Sequence, residues 1–172
     1  MKWFADVVAQ AKRIFIEYKE LGSMFHIEIG NVEGRGYKEF IDLVTSLSDK
    51  FLLVERNDMS SSDNLINVLK KLESSLIDMK EQSEWPSAML TESTAKVYYY
   101  KIDDNSKNVL KEEVDSLFSW EQPELPEDLC FINGDESWIS TSSHEGYCDI
   151  ISEDEDIIDS ILRIKGVEKR FC

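Results

Sequence analysis

Apolar residues along this chain recur at two periods, and the switching between them predicts an α+β fold. Trp3, Phe4, Val7, Val8, Ala11, Ile14, Phe15 and Tyr18 fall at three- and four-residue spacing. That spacing predicts an amphipathic helix, stopped at Leu21–Gly22. Phe25, Ile27 and Ile29 alternate with Met24, His26 and Glu28 and predict a half-buried strand. After the loop Gly30–Gly36, a helix from about Tyr37 puts Tyr37, Phe40, Ile41, Val44, Leu47 and Phe51 on one face. Leu52–Val54 reads as a short strand and Asn57–Asp63 as a polar loop. Leu65, Val68, Leu69, Leu72, Leu76 and Met79 read as the apolar face of a third helix. Trp85–Pro86 marks a connector and Val97–Ile102 an aromatic strand. Val109, Leu110, Val114, Leu117 and Phe118 predict a fourth helix, followed by an exposed turn-rich loop, Glu121–Asp128, with Pro123 and Pro126.

The last third reads as a β-meander. Leu129–Ile132 and Trp138–Thr141 flank Asn133–Gly134, a type I′ hairpin signal. Gly146 allows a second turn before a third strand, Tyr147–Ile151. Ser152 and Glu155 have the spacing of a capping box, which opens a final helix carrying Ile157, Ile158, Ile161, Leu162 and Ile164. Gly166 ends it, and Val167–Phe171 adds an edge strand. Together these elements predict a single α+β domain over residues 1–172, with a mixed, mostly antiparallel sheet and four to five helices. An α/β arrangement with parallel pairs among the early strands is the alternative.

Charge changes the picture. The chain holds 19 basic and 35 acidic residues, a formal net charge of −16. No lysine or arginine lies between Glu112 and Leu162, so that window carries the imbalance. Concentrated like charge opposes compaction, so it is seldom retained for folding alone. It suits capture of a basic partner and repels nucleic acid and anionic membrane. No stretch reaches the roughly 20 apolar residues of a membrane span. Met1–Lys2–Trp3 leads straight into the amphipathic pattern, so no signal peptide is expected. A soluble, cytoplasmic protein is expected, with Cys130, Cys148 and Cys172 as free thiols.

Catalytic patterns are weak. The loop Gly30–Gly36 lies where a phosphate cradle would, but it matches no phosphate motif and contains Glu33. Ser143-His144-Glu145 has triad composition, yet neighbouring residues cannot converge on one atom. His144 with Cys130 or Cys148 is the other nucleophile pairing, and it fits no zinc spacing. Glu153–Asp156 suits a first helical turn better than a calcium loop. No cofactor or metal is expected. Glu121, Glu124, Glu127, Asp128, Asp135 and Glu136 surround Trp120 and Trp138. With Trp120, His144 and Glu145 these acids form the expected protein-binding surface, while Trp138, core or interface, leans to the core.

The run Pro126-Glu127-Asp128-Leu129-Cys130-Phe131, then Gly134, Trp138 and Ser142-Ser143-His144-Glu145, resembles a C-terminal stretch of small uncharacterised bacterial proteins. In size and charge the chain also resembles immunity proteins of bacterial polymorphic-toxin systems. Those are small, cytoplasmic, usually acidic α+β proteins that block a cognate toxin. The likeness implies an acidic inhibitor of a basic, nuclease-type toxin. The alternatives are a DNA-mimic-like inhibitor of a nucleic-acid-binding protein, a structural or sporulation-type adaptor, and a small hydrolase using His144.

Overall fold

The computed structural model describes residues 24–170. The helix expected over Trp3–Tyr18, and Cys172, lie outside the described residues. Among the described residues ten strands and four α-helices follow in chain order. They are β1 (Phe25–Ile29), α1 (Gly34–Ser46), β2 (Lys50–Arg56), α2 (Asp63–Leu72), β3 (Leu76–Gln82), β4 (Glu84–Trp85) and β5 (Ala88–Met89). Then come β6 (Ala95–Lys101), α3 (Asp104–Glu112), β7 (Glu127–Asn133), β8 (Glu136–Ser142), β9 (Tyr147–Ser152), α4 (Glu155–Leu162) and β10 (Lys169–Arg170). Eight strands form one sheet in the order β10-β1-β9-β8-β7-β2-β6-β3, and each pairing is antiparallel. The α+β expectation holds, and the parallel alternative does not.

The helices cover one sheet face. Tyr37, Phe40, Ile41 and Val44 of α1, at i, i+3, i+4 and i+7, are fully buried. They pack with Phe51, Leu53, Leu129, Phe131 and Ile150 from the strands. The opposite face is buried only at its centre, where Leu52, Val54, Val97, Cys130 and Ile132 lie under Trp85. That explains the unbroken run Phe51–Val54: a central strand covered on both faces needs no polar alternation. Trp85 belongs to the small β4–β5 hairpin, where a plain connector was expected.

The third helix stops earlier than its periodicity indicates. α2 ends at Leu72, a 3-10 turn covers Glu73–Ser75, and Leu76 and Met79 lie on β3. Buried Ser75 donates to Asp103 Oδ1 at 2.8 Å, a polar anchor that turns the chain. The fourth helix also stops early, at Glu112, and Leu117 and Phe118 enter a separate 3-10 turn. Its start carries a capping box between Asp103 and Ser106. At α4 the cap is Asp154, whose side chain accepts from Asp156 N, and not Ser152.

The meander β7–β8–β9 forms as expected. Asn133 pairs with Glu136, so Gly134 and Asp135 are the two central residues of the first turn. Gly134 has φ 59° and Asp135 has no positive φ, the Gly-first pattern of type II′ and not type I′. Gly134→Val is expected to cost roughly 2 kcal/mol, because a β-branched residue resists positive φ. A urea melt checks it, and an unchanged midpoint would show that the turn relaxes without strain.

Candidate functional site

The acidic window folds into two separate places. β8 runs from Glu136 to Ser142. At ~3.4 Å per residue its ends lie roughly 20 Å apart. Glu121, Glu127, Asp128 and His144 gather at one end, and Asp135, Glu136, Glu153 and Asp154 lie at the other.

The first place begins with a β-bulge. Between β2 and β7, Leu52 faces Cys130 but Val54 faces Glu127, so β7 carries one extra residue. Asp128 has φ 57°, a left-handed conformation that aspartate tolerates better than most residues. The Asp128 carboxylate accepts from Trp85 Nε1 at 2.8 Å and from the Ser143 backbone N–H at 3.0 Å. It therefore ties the β4–β5 hairpin and the β8–β9 turn to the sheet. Burial pushes the Asp128 carboxyl up, and these two donors oppose the rise. Burial also raises the Glu127 carboxyl, Asp128 beside it raises it further, and His144 and Arg56 counteract both. Glu127 Oε2 lies 2.9 Å from His144 Nε2, and Glu121 Oε1 lies 2.7 Å from His144 Nδ1. Both ring nitrogens of His144 therefore face carboxylate oxygens.

This cluster reads as a clamp. His144 spends both ring nitrogens on Glu121 and Glu127, and Glu145 takes no part. The buried Ser143 Oγ has no hydrogen-bond partner among the described residues. Cys130 and Cys148 are free and fully buried. Burial pushes the Cys130 thiol up to about 12 and the Cys148 thiol well above its ordinary value. Both stay protonated, so neither is an activated nucleophile. Among the described residues no group of three or more His, Cys, Asp and Glu side chains is placed to hold a metal ion. The Gly30–Gly36 loop is tied down by its backbone, with Gly34 N donating to Asp115 O and Leu117 N to Val32 O.

Several residues expected at an exposed surface are buried. Trp120 is fully buried, and its Nε1 donates to Tyr37 Oη at 2.9 Å. Tyr37 Oη in turn donates to Leu110 O at 2.6 Å. Glu127 and Asp128 are only 1% and 3% exposed. Their reversal to lysine would bury a cation, so Glu121–Asp128 is not a freely replaceable loop. Gln122 is buried as well, pairing through its amide with the backbone of Arg56 and Ser60. Glu121 stays partly exposed, and Glu124, Asp135, Glu136, His144 and Glu145 are exposed.

The second place is a cleft of about 430 Å³ between the ends of β8 and β9 and the start of α4. Its floor is apolar, with half-buried Trp138, Ile157 and Leu47 and exposed Ile151. Trp138 Nε1 donates to Ser48 Oγ at 2.9 Å, which fixes the ring. Its rim carries Glu136, Glu153 and Asp154, all exposed, and no basic residue lines it among the described residues. Sequence reasoning placed Glu136 at the surface, leaned to the core for Trp138, and assigned Glu153 and Asp154 to the helix start alone. The helix start is what brings them here: α4 begins directly after β9, opposite the Asn133–Glu136 turn.

No protein-family model, curated protein or solved structure matches this chain.

Proposed function

We propose that the protein is an acidic inhibitor of the immunity type, which binds a basic, nuclease-type toxin and acts by occlusion without catalysis. The observation that carries this reading is the cleft at Trp138: an apolar floor under three exposed carboxylates, with no lining base among the described residues. Lysine and arginine have an apolar stem and a charged head, and such a cleft complements both parts. A nuclease presents these side chains in its phosphate-binding groove. The acids surrounding the cleft steer encounter, and Trp138 supplies an aromatic anchor. Such a partner acts where nucleic acid is, so the protein is proposed to work in the cytoplasm. The absence of a helix long and apolar enough to cross a membrane, among the described residues, accords with that.

The test is protection. Coexpression with a nuclease encoded beside its gene should restore growth. Glu136→Lys with Glu153→Lys should abolish that protection while lowering the thermal midpoint by no more than a few degrees, because neither side chain is buried and a cation just before the α4 cap costs about 0.3–1 kcal/mol. Asp154 is left intact as the α4 cap. In stopped flow, wild-type association should slow by on the order of tenfold from low to physiological salt, and the double variant should start slow and respond little. Full protection by the double variant would remove the cleft from the interface.

A further inference from the structure

Strand β3 is an edge strand: it pairs with β6 on one side and with no described strand on the other. An unpaired edge offers backbone N–H and C=O groups to another chain. Four of the seven large apolar side chains exposed among the described residues, Leu76, Ile77, Met79 and Ile66 of α2, lie on or beside it. Apolar surface is therefore concentrated here. A groove of about 410 Å³ runs alongside, between α2 and the Tyr98–Tyr100 side of the sheet.

We propose that β3 is the interface of a two-fold homodimer, in which β3 of a second copy of this chain pairs antiparallel with it about Met79. Three observations set the occupant and the register. First, the Met79 N–H is directed to Asp78 Oδ1, which accepts from it at 2.9 Å. A residue in an antiparallel ladder sends its N–H and C=O the same way, so both face away from β6, and pairing exchanges the Asp78 acceptor for a carbonyl of the facing strand. A two-fold axis at Met79 makes the two Met79 residues a doubly hydrogen-bonded pair. Second, that register puts Asp78 opposite Lys80 of the second copy, twice over. Within one copy these side chains lie 3.8 Å apart, so four charges alternate around the axis. Opposite charges across strands attract, and only an antiparallel second copy supplies them in this order. Centring on Glu81 would instead set two glutamates face to face. Third, Met79 pairs with Tyr98 and shares its sheet face, the face that lines the groove. The two Met79 side chains thus meet on the grooved side. A lysine on an edge strand ordinarily discourages pairing. In this register it is attractive.

Sedimentation equilibrium of the full chain tests the proposal. Wild type should dimerise at micromolar concentration. Lys80→Asp alone and Asp78→Lys alone should each weaken the dimer by on the order of tenfold, because each sets like charges opposite. The combined exchange, Asp78→Lys with Lys80→Asp, should restore it. The exchange keeps the intrachain pair, so it separates loss of the dimer from damage to the fold, and circular dichroism of all three variants should match wild type. A monomeric wild type overturns the proposal. So does a dimer indifferent to the single changes, or one that the exchange does not restore.

Discussion

Asp128→Ala should destabilise the fold by roughly 2–5 kcal/mol, because it strands two buried donors at about 1–3 kcal/mol each. Those donors are Trp85 Nε1 and the Ser143 N–H. Alanine also adopts φ 57° less readily than aspartate does. Asp128→Asn should cost less, roughly 1–3 kcal/mol, since asparagine accepts the left-handed conformation and its single oxygen strands one donor. The penalty for Asn should depend on pH with a definite sign. Burial raises the Asp128 carboxyl above its ordinary value, so the folded state holds this proton more tightly than the unfolded chain. Wild type therefore loses stability from this group as pH rises above about 4, while Asn has no such loss. The wild-type advantage over Asp128→Asn should shrink as pH rises. Urea melts at several pH values measure it, and an advantage that grows with pH would mean that the ionised carboxylate is better held when folded.

The meander and the helices α1 and α4 were legible because one apolar face at one period is enough to place them, although α1 stops at Ser46 and Phe51, expected on its face, lies on β2. Leu76 and Met79 misled because their spacing continues that of Leu65, Val68 and Leu72, and the polar anchor of Ser75 on Asp103 joins residues 28 apart. Trp120 misled for a similar reason. An aromatic among acids reads as an interface, and the Tyr37 hydroxyl that takes it into the core is 83 residues away. The charge window was plain in the sequence, but its division was not. Which acids turn inward depends on a single extra residue in β7 opposite β2, and that register is a property of the sheet. The clearest local sign was that Glu127 and Asp128 directly precede Leu129–Ile132, a run with no polar alternation. The cleft escaped notice because Glu136 and Glu153 come together only when β8 and β9 pair.

Gly36→Ala should lower stability by roughly 1–3 kcal/mol, the range of an overpacked site, although alanine is the better helix former by about 1 kcal/mol. Gly36 lies in the first turn of α1, and a Cβ there would stand 2.2 Å from Lys165 O. The obstacle is backbone, so no side chain can move aside. Lys165 belongs to the segment between α4 and β10, and Gly30 N donates to Glu168 O a few residues on. The added methyl must therefore push the α4–β10 connection off α1 or tilt α1 away from the sheet. Either movement disturbs Tyr37, whose hydroxyl links Trp120 to Leu110 in the core. Intrinsic propensity and tertiary contact predict opposite signs here, so the direction of the change decides between them. A thermal or urea midpoint below wild type supports the close approach of α1 to the Lys165 carbonyl. A midpoint above wild type would place that carbonyl elsewhere and free the α4–β10 segment from α1.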